Sequence, residues 1–433
     1  MTDHRNLHDG AGYYNIFDPV PRPHDNTKAL FPQAYFTGAG LKYWLLSCNL
    51  PRGTRFAWGA NLLAGNASEA VAQVQQIERV FDHPSCNHVE LHTIELGNEA
   101  DLWGDEERRP TNWTIQDYAD EQLEYFDAIS AELGEHGRKY RVADFAGRFS
   151  SSWLNGTGLL HSRMSRSINA ISEHRYQGAA NMDPPSKWPE AAAGLINKTN
   201  IRSRLDKFDS ALVTAQEAGI DFVLGETGSF SGHGQSGVSN AAAAAIWMVD
   251  YTLQAATRGI AGLHFHQGVG YNYSAFVPID HVGVDIETFD PDAVAHVMPL
   301  YYGYLMVADA IGKSGKAFVS EVATDLPILA AYQVWEKHQP ARLVLINSEP
   351  WAEGTPHNRP QLSIRLPRVF GKKRLRYKTL YVDSIVATEG LTWGGQSWET
   401  STGRLQGRES FKKVDAHGVL SLDASSVAVV YLD

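Results

Sequence analysis

The chain has 433 residues, 43% of them hydrophobic and 11% aromatic, which supplies a large core and excludes an extended disordered chain. Its 49 acidic against 38 basic residues give a formal charge of −11, arguing against nucleic acid and against a polybasic membrane contact. No apolar run approaches the ~20 residues that cross a bilayer, although well-placed arginine, tyrosine or backbone amides could still receive an anionic substrate.

The segment before Arg55, carrying Pro19, Pro21 and Pro23, reads as loop and one helical or irregular stretch. From about Arg55 to Gln267 one unit repeats: a short apolar strand, a loop, then an amphipathic helix. Strands are expected over Phe56–Leu62, Thr93–Gly97, Tyr140–Asp144, Ala170–His174, Asp221–Gly225 and Ile260–His266. Helices are expected over Ser68–Asp82, Ile115–Leu133, Ile201–Ala218 and Ala241–Thr257, the third capped by Asn200 and closed by Gly219. Alternation of this kind implies a parallel sheet, and the spacing suits a (β/α)8 TIM barrel of the α/β class. Six strands are countable where such a barrel has eight, so the first two are expected to be missing. A helix around Ala293–Ile311 is followed, from Gly315, by alternating β-type runs at Ile328–Trp335, Arg342–Asn347, Gln361–Leu366, Leu375–Val382 and Ser425–Leu432. The expected organisation is a partial catalytic barrel over residues 1–312 and a C-terminal β-sandwich domain over 313–433.

Two of the apolar runs end on glutamate, Ile94-Glu95-Leu96-Gly97-Asn98-Glu99 and Phe222-Val223-Leu224-Gly225-Glu226. A carboxylate just past a buried strand is costly without a task. In a barrel, both would crown the C-terminal ends of strands, where active residues sit. Two facing glutamates suit glycoside hydrolysis; a separation of ~5–5.5 Å would make the pair nucleophile and acid/base of a retaining enzyme. Asn98 is placed to hold a sugar hydroxyl. Either glutamate alone is more economically a surface residue at a strand end; the pair beside Asn98 is not.

Glu173-His174-Arg175-Tyr176 ends another strand and offers a histidine and a phenol to that site, or equally a buried histidine and a rim tyrosine. His264 and His266 point the same way on their strand, but no third ligand with suitable spacing joins them, so no metal is expected. Gly268-Val269-Gly270-Tyr271-Asn272-Tyr273 is either a flexible aromatic loop or one offering N–H and phenol groups to a carboxylate. Gly228, Gly232, Gly234 and Gly237 read as a mobile loop, since no Lys-Ser/Thr follows to make a phosphate loop. Trp393-Gly394-Gly395-Gln396-Ser397-Trp398 reads as a turn with core tryptophans rather than a sugar-stacking surface. Cys48 and Cys86 provide a buried thiol or a single bridge, not a framework.

Phe56-Ala57-Trp58-Gly59-Ala60-Asn61-Leu62, the run from Ile94 to Trp103, His174-x-Tyr176, Gly225-Glu226-Thr227 and Leu391-Thr392-Trp393-Gly394-Gly395-Gln396 resemble glycoside hydrolase family 79, the β-glucuronidase and heparanase-like enzymes, in its fungal exo-acting branch. The resemblance runs from about Lys28 to the carboxyl end. It implies a barrel with a β-sandwich, retention of configuration, and no metal or other cofactor. By it Glu99 is the acid/base and Glu226 the nucleophile; Asn98 binds the sugar, His174 and Tyr176 support the site, and Gly270 and Tyr271 meet the uronate carboxylate. Phe230 and Ser231 stand where family members place a tyrosine, which admits a 4-O-methylated uronate beside glucuronate.

The expected activity is thus a retaining exo-β-glucuronidase, a monomer acting on oligosaccharide or proteoglycan glycans, with neither nucleic acid nor membrane as partner. The alternatives are an inactive glycan-binding paralogue and another exo-glycosidase such as a β-xylosidase. Met1-Thr2-Asp3-His4-Arg5-Asn6 lacks the h-region of a signal peptide. The family pattern therefore leads to the expectation of an amino-terminally truncated sequence whose full-length product is extracellular. Sequons at Asn66, Asn112, Asn155, Asn197 and Asn272 lean weakly the same way.

Overall fold

In the computed structural model, which describes residues 45–63, 65–105, 108–135, 137–181, 183–281, 290–352, 354, 358–367 and 375–432, six strands lie side by side in chain order. They are β1 (Arg55–Ala60), β2 (Glu90–Leu96), β3 (Tyr140–Phe145), β4 (Ile168–Ala179), β5 (Asp221–Ser231) and β6 (Gly262–Phe265). The pairs β1–β2, β2–β3, β3–β4 and β5–β6 are parallel. Parallel neighbours in sequence order require a crossover between each pair, and this is the order in which a (β/α) barrel is wound. Each of the six expected strands is present, but β4 and β5 run on to Ala179 and Ser231, so His174 and Glu226 lie within strands and not at their ends as expected. The two earlier barrel strands concern positions outside the described residues.

By packing, the chain divides into two units, the first made of Met1–Arg175, Phe208–Thr227 and Ile260–Phe265, the second of Tyr176–Lys207, Gly228–Gly259 and His266–Asp433. In the first, helix Ala67–Phe81 buries Ala70, Val74, Ile77 and Val80 on one stripe, and Asn66 caps its start by accepting from the N–H groups of Ser68 and Glu69. Helix Ile115–Leu133 opens with a reciprocal Thr114–Asp117 capping box and has the bounds the sequence predicts. Strand β3 is buried at all six positions, as expected of an inner parallel strand. Cys48 and Cys86 form a disulfide, with Cα atoms 4.5 Å apart.

The helix expected over Ile201–Ala218 is in fact two, Lys198–Leu205 and Asp209–Ala218, separated by a 3₁₀ turn at Asp206–Phe208. The cap of the first is Asn197, which accepts from Thr199 and Asn200, and not Asn200 itself. The tighter turn delivers Phe208, fully buried, to the ring of Phe222 at 5.4 Å. Gly219 closes the second piece in the left-handed region (φ 67), the role expected of it.

In the second unit, helix Ala242–Thr257 is buried along nearly its whole length. It packs on helix Leu300–Ile311, where Gly303 leaves room for the Met248 side chain. That second helix is shorter than the expected Ala293–Ile311, because His296–Val297 instead pairs antiparallel with Phe276–Val277. The remaining chain forms antiparallel sheets. Leu329–Glu336, Gln339–Asn347, Ser426–Tyr431 and Arg376–Tyr381 are central strands of the larger one, and Gln361–Arg365 pairs separately with Val419–Asp423. Leu343, Leu345, Tyr377, Ala428 and Val430 from the larger sheet meet Leu420 and Leu422 from the smaller in one core, which makes the module a sandwich. Gly394 and Gly395, both at positive φ, turn the chain between Trp393 and Gln396. Trp393 is buried, with its indole N–H donating to Asp309 at 2.7 Å, so this motif is indeed a turn on a core tryptophan.

Candidate active site

The chain leaves β2 through Gly97 (φ 86), where a side chain would press on the Trp103 ring at 3.2 Å. Trp103 in turn donates its indole N–H to the Asn98 oxygen at 3.1 Å. Glu99 follows in a left-handed conformation (φ 50), and its N–H is taken by the main-chain oxygen of Asp144 at 3.0 Å. Two residues on, the Asp101 carboxylate accepts the N–H groups of Ala146, Gly147, Arg148 and Phe149. The loop after β2 is thereby tied to the loop after β3, and Glu99 is held on a rigid support.

The side chain of Glu99 reaches His174 of β4, with Oε1 and Nδ1 3.0 Å apart. One carboxylate oxygen of Glu99, one of Glu226 and one ring nitrogen of His174 all lie within 4.8 Å of one another. Glu226, in β5, is fully buried; the Glu99 side chain keeps 23% of its surface exposed. One carboxylate is therefore walled in while the other is partly open to solvent, and an oxygen of each lies within 4.8 Å of an oxygen of the other. Asn98 is buried beside them, and its Oδ1 has no hydrogen-bond partner among the described residues.

Beneath these groups lies a second set of charges. Arg141 of β3, 1% exposed, lies against the carboxyl groups of both Glu95 and Asp144. The Asp144 Oδ1 is 3.7 Å from the far nitrogen of His174. Burial pushes Glu95 up to about 8, the Asp144 and Glu226 charges adding to it and Arg141 and His174 opposing. Asp144 is held below the usual carboxylate range: burial works against it, but Arg141, His174 and Ser172 prevail. Burial would lower His174, yet the nearby Asp144 carboxylate, the hydrogen bond to Glu99 and the Glu226 charge hold it well above the ordinary imidazole value. Glu99, His174 and Glu226 are, among the described residues, the one compact group of histidine and carboxylate side chains. His264 is pushed the other way, to about 3, by burial and then by Arg141, and stays neutral.

In the second unit, Tyr176 and Tyr273 both bring their hydroxyls to Nδ1 of His266, at 2.9 and 2.8 Å. Tyr271 stacks on His233 at 3.9 Å and meets the His266 and Tyr273 rings edge-on. Gly268 has no room for a Cβ, which would overlap the Tyr271 ring, and Gly270 turns the chain at φ 79. The glycine-rich segment read from sequence as mobile is pinned: Gly228 lies within β5, Asn272 donates to the oxygens of His233 and Gly234, the Gln235 N–H donates to Ser239 Oγ, and the Gln235 side-chain oxygen accepts the Asn181 N–H.

Of the residues singled out in the sequence, Glu99, His174 and Glu226 converge, with Asn98 following β2 directly into the same turn. Tyr176 and Tyr271 gather instead around His266, with Gly270 in the intervening loop. Glu95, Arg141, Asp144 and His266 escaped sequence reasoning as site residues. The signal for the first three was charge at strand positions that burial periodicity reserves for apolar side chains; for His266 it was the phenols of Tyr271 and Tyr273 that follow it closely in the chain.

Residues 331–429 match the model of the glycosyl hydrolase family 79 C-terminal beta domain. A curated beta-glucuronidase of Aspergillus niger is 30% identical over 320 residues, 68% of this chain and 54% of the relative. One from Neurospora crassa is 25% identical over 427 residues, 86% of this chain and 72% of the relative. The chain thus spans about half the length of the first of these relatives. Among solved structures, a 4-O-alpha-L-rhamnosyl-beta-D-glucuronidase from Fusarium oxysporum superposes with a TM-score of 0.73 at 20% identity, over 91% of this chain and 79% of that one. An alpha-L-arabinofuranosidase from Thermotoga maritima gives 0.57 at 14%, covering 98% and 85%. At such identities these structures establish the fold alone: a TIM barrel and a C-terminal β domain.

Proposed function

We propose that this chain is a glycoside hydrolase of family 79, of the fungal type, and a retaining exo-β-glucuronidase removing terminal glucuronic or 4-O-methylglucuronic acid from glycans. The observation that carries the proposal is the approach of the Glu99 and Glu226 carboxylates to within 4.8 Å, one walled in and one solvent-facing. In the first step Glu226 attacks the anomeric carbon while Glu99 gives its proton to the departing glycosidic oxygen, leaving a glycosyl ester on Glu226. In the second, Glu99 takes a proton from water, the water oxygen attacks the same carbon, and the ester bond breaks to restore Glu226 and release the sugar.

Asn98, with its buried acceptor oxygen, would take a sugar hydroxyl. His174 fixes the Glu99 oxygen it bonds, and so directs the other towards the leaving group. For Tyr176, Gly270 and Tyr271, roles in supporting and recognising a uronate come from the family resemblance; Tyr176 and Tyr271 are themselves ordered around His266. An extracellular site of action fits the Cys48–Cys86 bridge, since such bonds persist in oxidising compartments. Of the five sequon asparagines, Asn66, Asn112, Asn155 and Asn197 are exposed, while Asn272 is buried and would carry no glycan.

Hydrolysis of aryl β-D-glucuronide, beside the matching xyloside and glucoside, tests the reading. Turnover of the glucuronide alone, with the β-anomer released first and activity lost in Glu226→Gln, is the expected result. Preference for the xyloside, or turnover that survives Glu226→Gln, overturns it.

A further inference from the structure

Strand β3 does not end as a regular strand. Ala143 (φ 79) and Asp144 (φ 47) are consecutive non-glycine residues in the left-handed region, at a shift in register between β3 and β4. A positive φ is strained for any residue with a Cβ, and alanine gains no side-chain bond in return. The bulge is built in from both sides. Tyr118 Oη takes the Ala143 N–H at 2.7 Å, and Gly225 on β5 leaves space that no other residue would, since a Cβ there would lie 2.4 Å from Asp144 Oδ1 and from Ser172 Oγ. What the distortion achieves is to turn both ends of one residue towards the site.

We propose that Asp144 is a positioning residue for Glu99, its main-chain oxygen fixing the Glu99 backbone and its carboxylate holding the His174 ring against the Glu99 side chain. The inference rests on the two-glutamate reading and adds to it the group that orients the acid/base. The first contact is the 3.0 Å bond from Glu99 N–H; the second is the chain from Asp144 Oδ1 to His174 at 3.7 Å, and from His174 Nδ1 to Glu99 Oε1 at 3.0 Å. Asp144 is itself locked by Arg141, whose Nε is 2.9 Å from Oδ1.

Charged and titratable groups face this pair from every neighbouring element: Glu95 and Glu99 from β2 and its loop, Arg141 from β3, Glu226 from β5, His264 from β6 and Tyr118 from helix Ile115–Leu133. With Glu95 neutral, Arg141 balances Asp144, and a protonated His174 stands between Glu99 and Glu226. Without the Asp144 charge, the imidazole would have only the two reacting carboxylates to hold its second proton. Its charge would then change with theirs through the catalytic cycle.

The test is nitrogen NMR of the histidine-labelled full chain, with pH–rate profiles on aryl β-D-glucuronide. In the wild type the His174 ring holds its second proton well above the ordinary imidazole range, and it does so in Glu99→Gln, which leaves Asp144 in place. In Asp144→Asn, a side chain that tolerates the left-handed backbone, the second proton leaves at least one pH unit lower; kcat falls at least tenfold with KM within twofold. A neutral His174 in the wild type, its return to an ordinary titration near 6.5 in Glu99→Gln, or an unshifted titration in Asp144→Asn each overturns the proposal. Should Asp144→Asn not fold, the wild type and Glu99→Gln decide. A protonated His174 in a protein that does not hydrolyse the glucuronide would sink the proposed activity and leave the positioning role standing.

Discussion

Glu95 makes the stability of this protein fall as pH rises, by an amount that one substitution removes. Its carboxyl is 1% exposed, and its pKa moves from 4.5 to about 8, first through burial and then through the Asp144 charge. Below pH 4.5 folded and unfolded chains both carry the proton. Between 4.5 and about 8 the unfolded chain has released it while the folded chain keeps it, so the unfolded state gains ~1.4 kcal/mol for each pH unit. From pH 5 to 7.5 that amounts to about 3 kcal/mol, a ceiling because Arg141 remains available to stabilise an ionised Glu95. Glu95→Gln keeps the shape and the hydrogen bond of the neutral acid but has nothing to release. The measurement is urea unfolding of both proteins, followed by circular dichroism, at pH 5 and at pH 7.5. His174, whose proton is also held above its ordinary value in the folded state, favours folding at low pH and loses that contribution as pH rises, equally in both proteins. The difference between them isolates Glu95. The wild type should lose about 3 kcal/mol more than the variant. Equal losses would mean that Glu95 is ionised in the folded protein and that the charge balance beneath the site has been drawn wrongly.

Gly225→Ala should destabilise by about 2–4 kcal/mol, since its Cβ would fall on Asp144 and Ser172 and break the Ser172 Oγ bond to the Gly225 N–H; urea unfolding measures it, and a change under 1 kcal/mol would show that the carboxylate has room to move. His266→Phe takes the shared partner from Tyr176 and Tyr273, and ~1 kcal/mol for each hydroxyl should be lost in the same assay. Reducing the Cys48–Cys86 bridge, which closes a loop with a sequence separation of 38, should lower stability by ~3–4 kcal/mol; an unchanged melting temperature in reductant would count against it. Asn98→Ala should cut kcat/KM on the aryl glucuronide by ~10²-fold, about 2–3 kcal/mol of transition-state binding, with the melting temperature unchanged because Oδ1 has no internal partner among the described residues.

The fold was legible where local chemistry and burial agree. Strand β3 is a short apolar run buried on both faces, and Thr114 with Asp117 marks a helix start without help from the rest of the chain. Legibility failed where a tertiary contact overrode a continuous helical pattern. Ile201–Ala218 has no glycine or proline to break it, and the interruption at Asp206–Phe208 follows from the place Phe208 takes in the core. Likewise Gly232, Gly234 and Gly237 suggested looseness because sequence displays their freedom. The bonds from Asn272 and Gln235 that remove it come from distant residues.

In the site, the same division separates the residues that end apolar runs from those that lie beneath them. Glu99 and Glu226 announce themselves, because an acid at the close of an apolar run contradicts its surroundings, and His174 with Tyr176 follows the same logic one strand further on. Arg141 and Asp144 contradict their surroundings just as strongly, yet in sequence they read as a polar break in Tyr140–Asp144 rather than as part of the chemistry. Their meaning depends on the bulge at Ala143, and no residue in Arg141-Val142-Ala143-Asp144 is one that favours a positive φ except the last. That conformation exists only because Tyr118, Gly225 and Glu99, from three other elements, each hold one side of it. A reader of sequence therefore finds the acids that meet a substrate before finding the strained turn that aims them, and buried charge in the middle of a predicted inner strand is the mark by which such a turn can be sought.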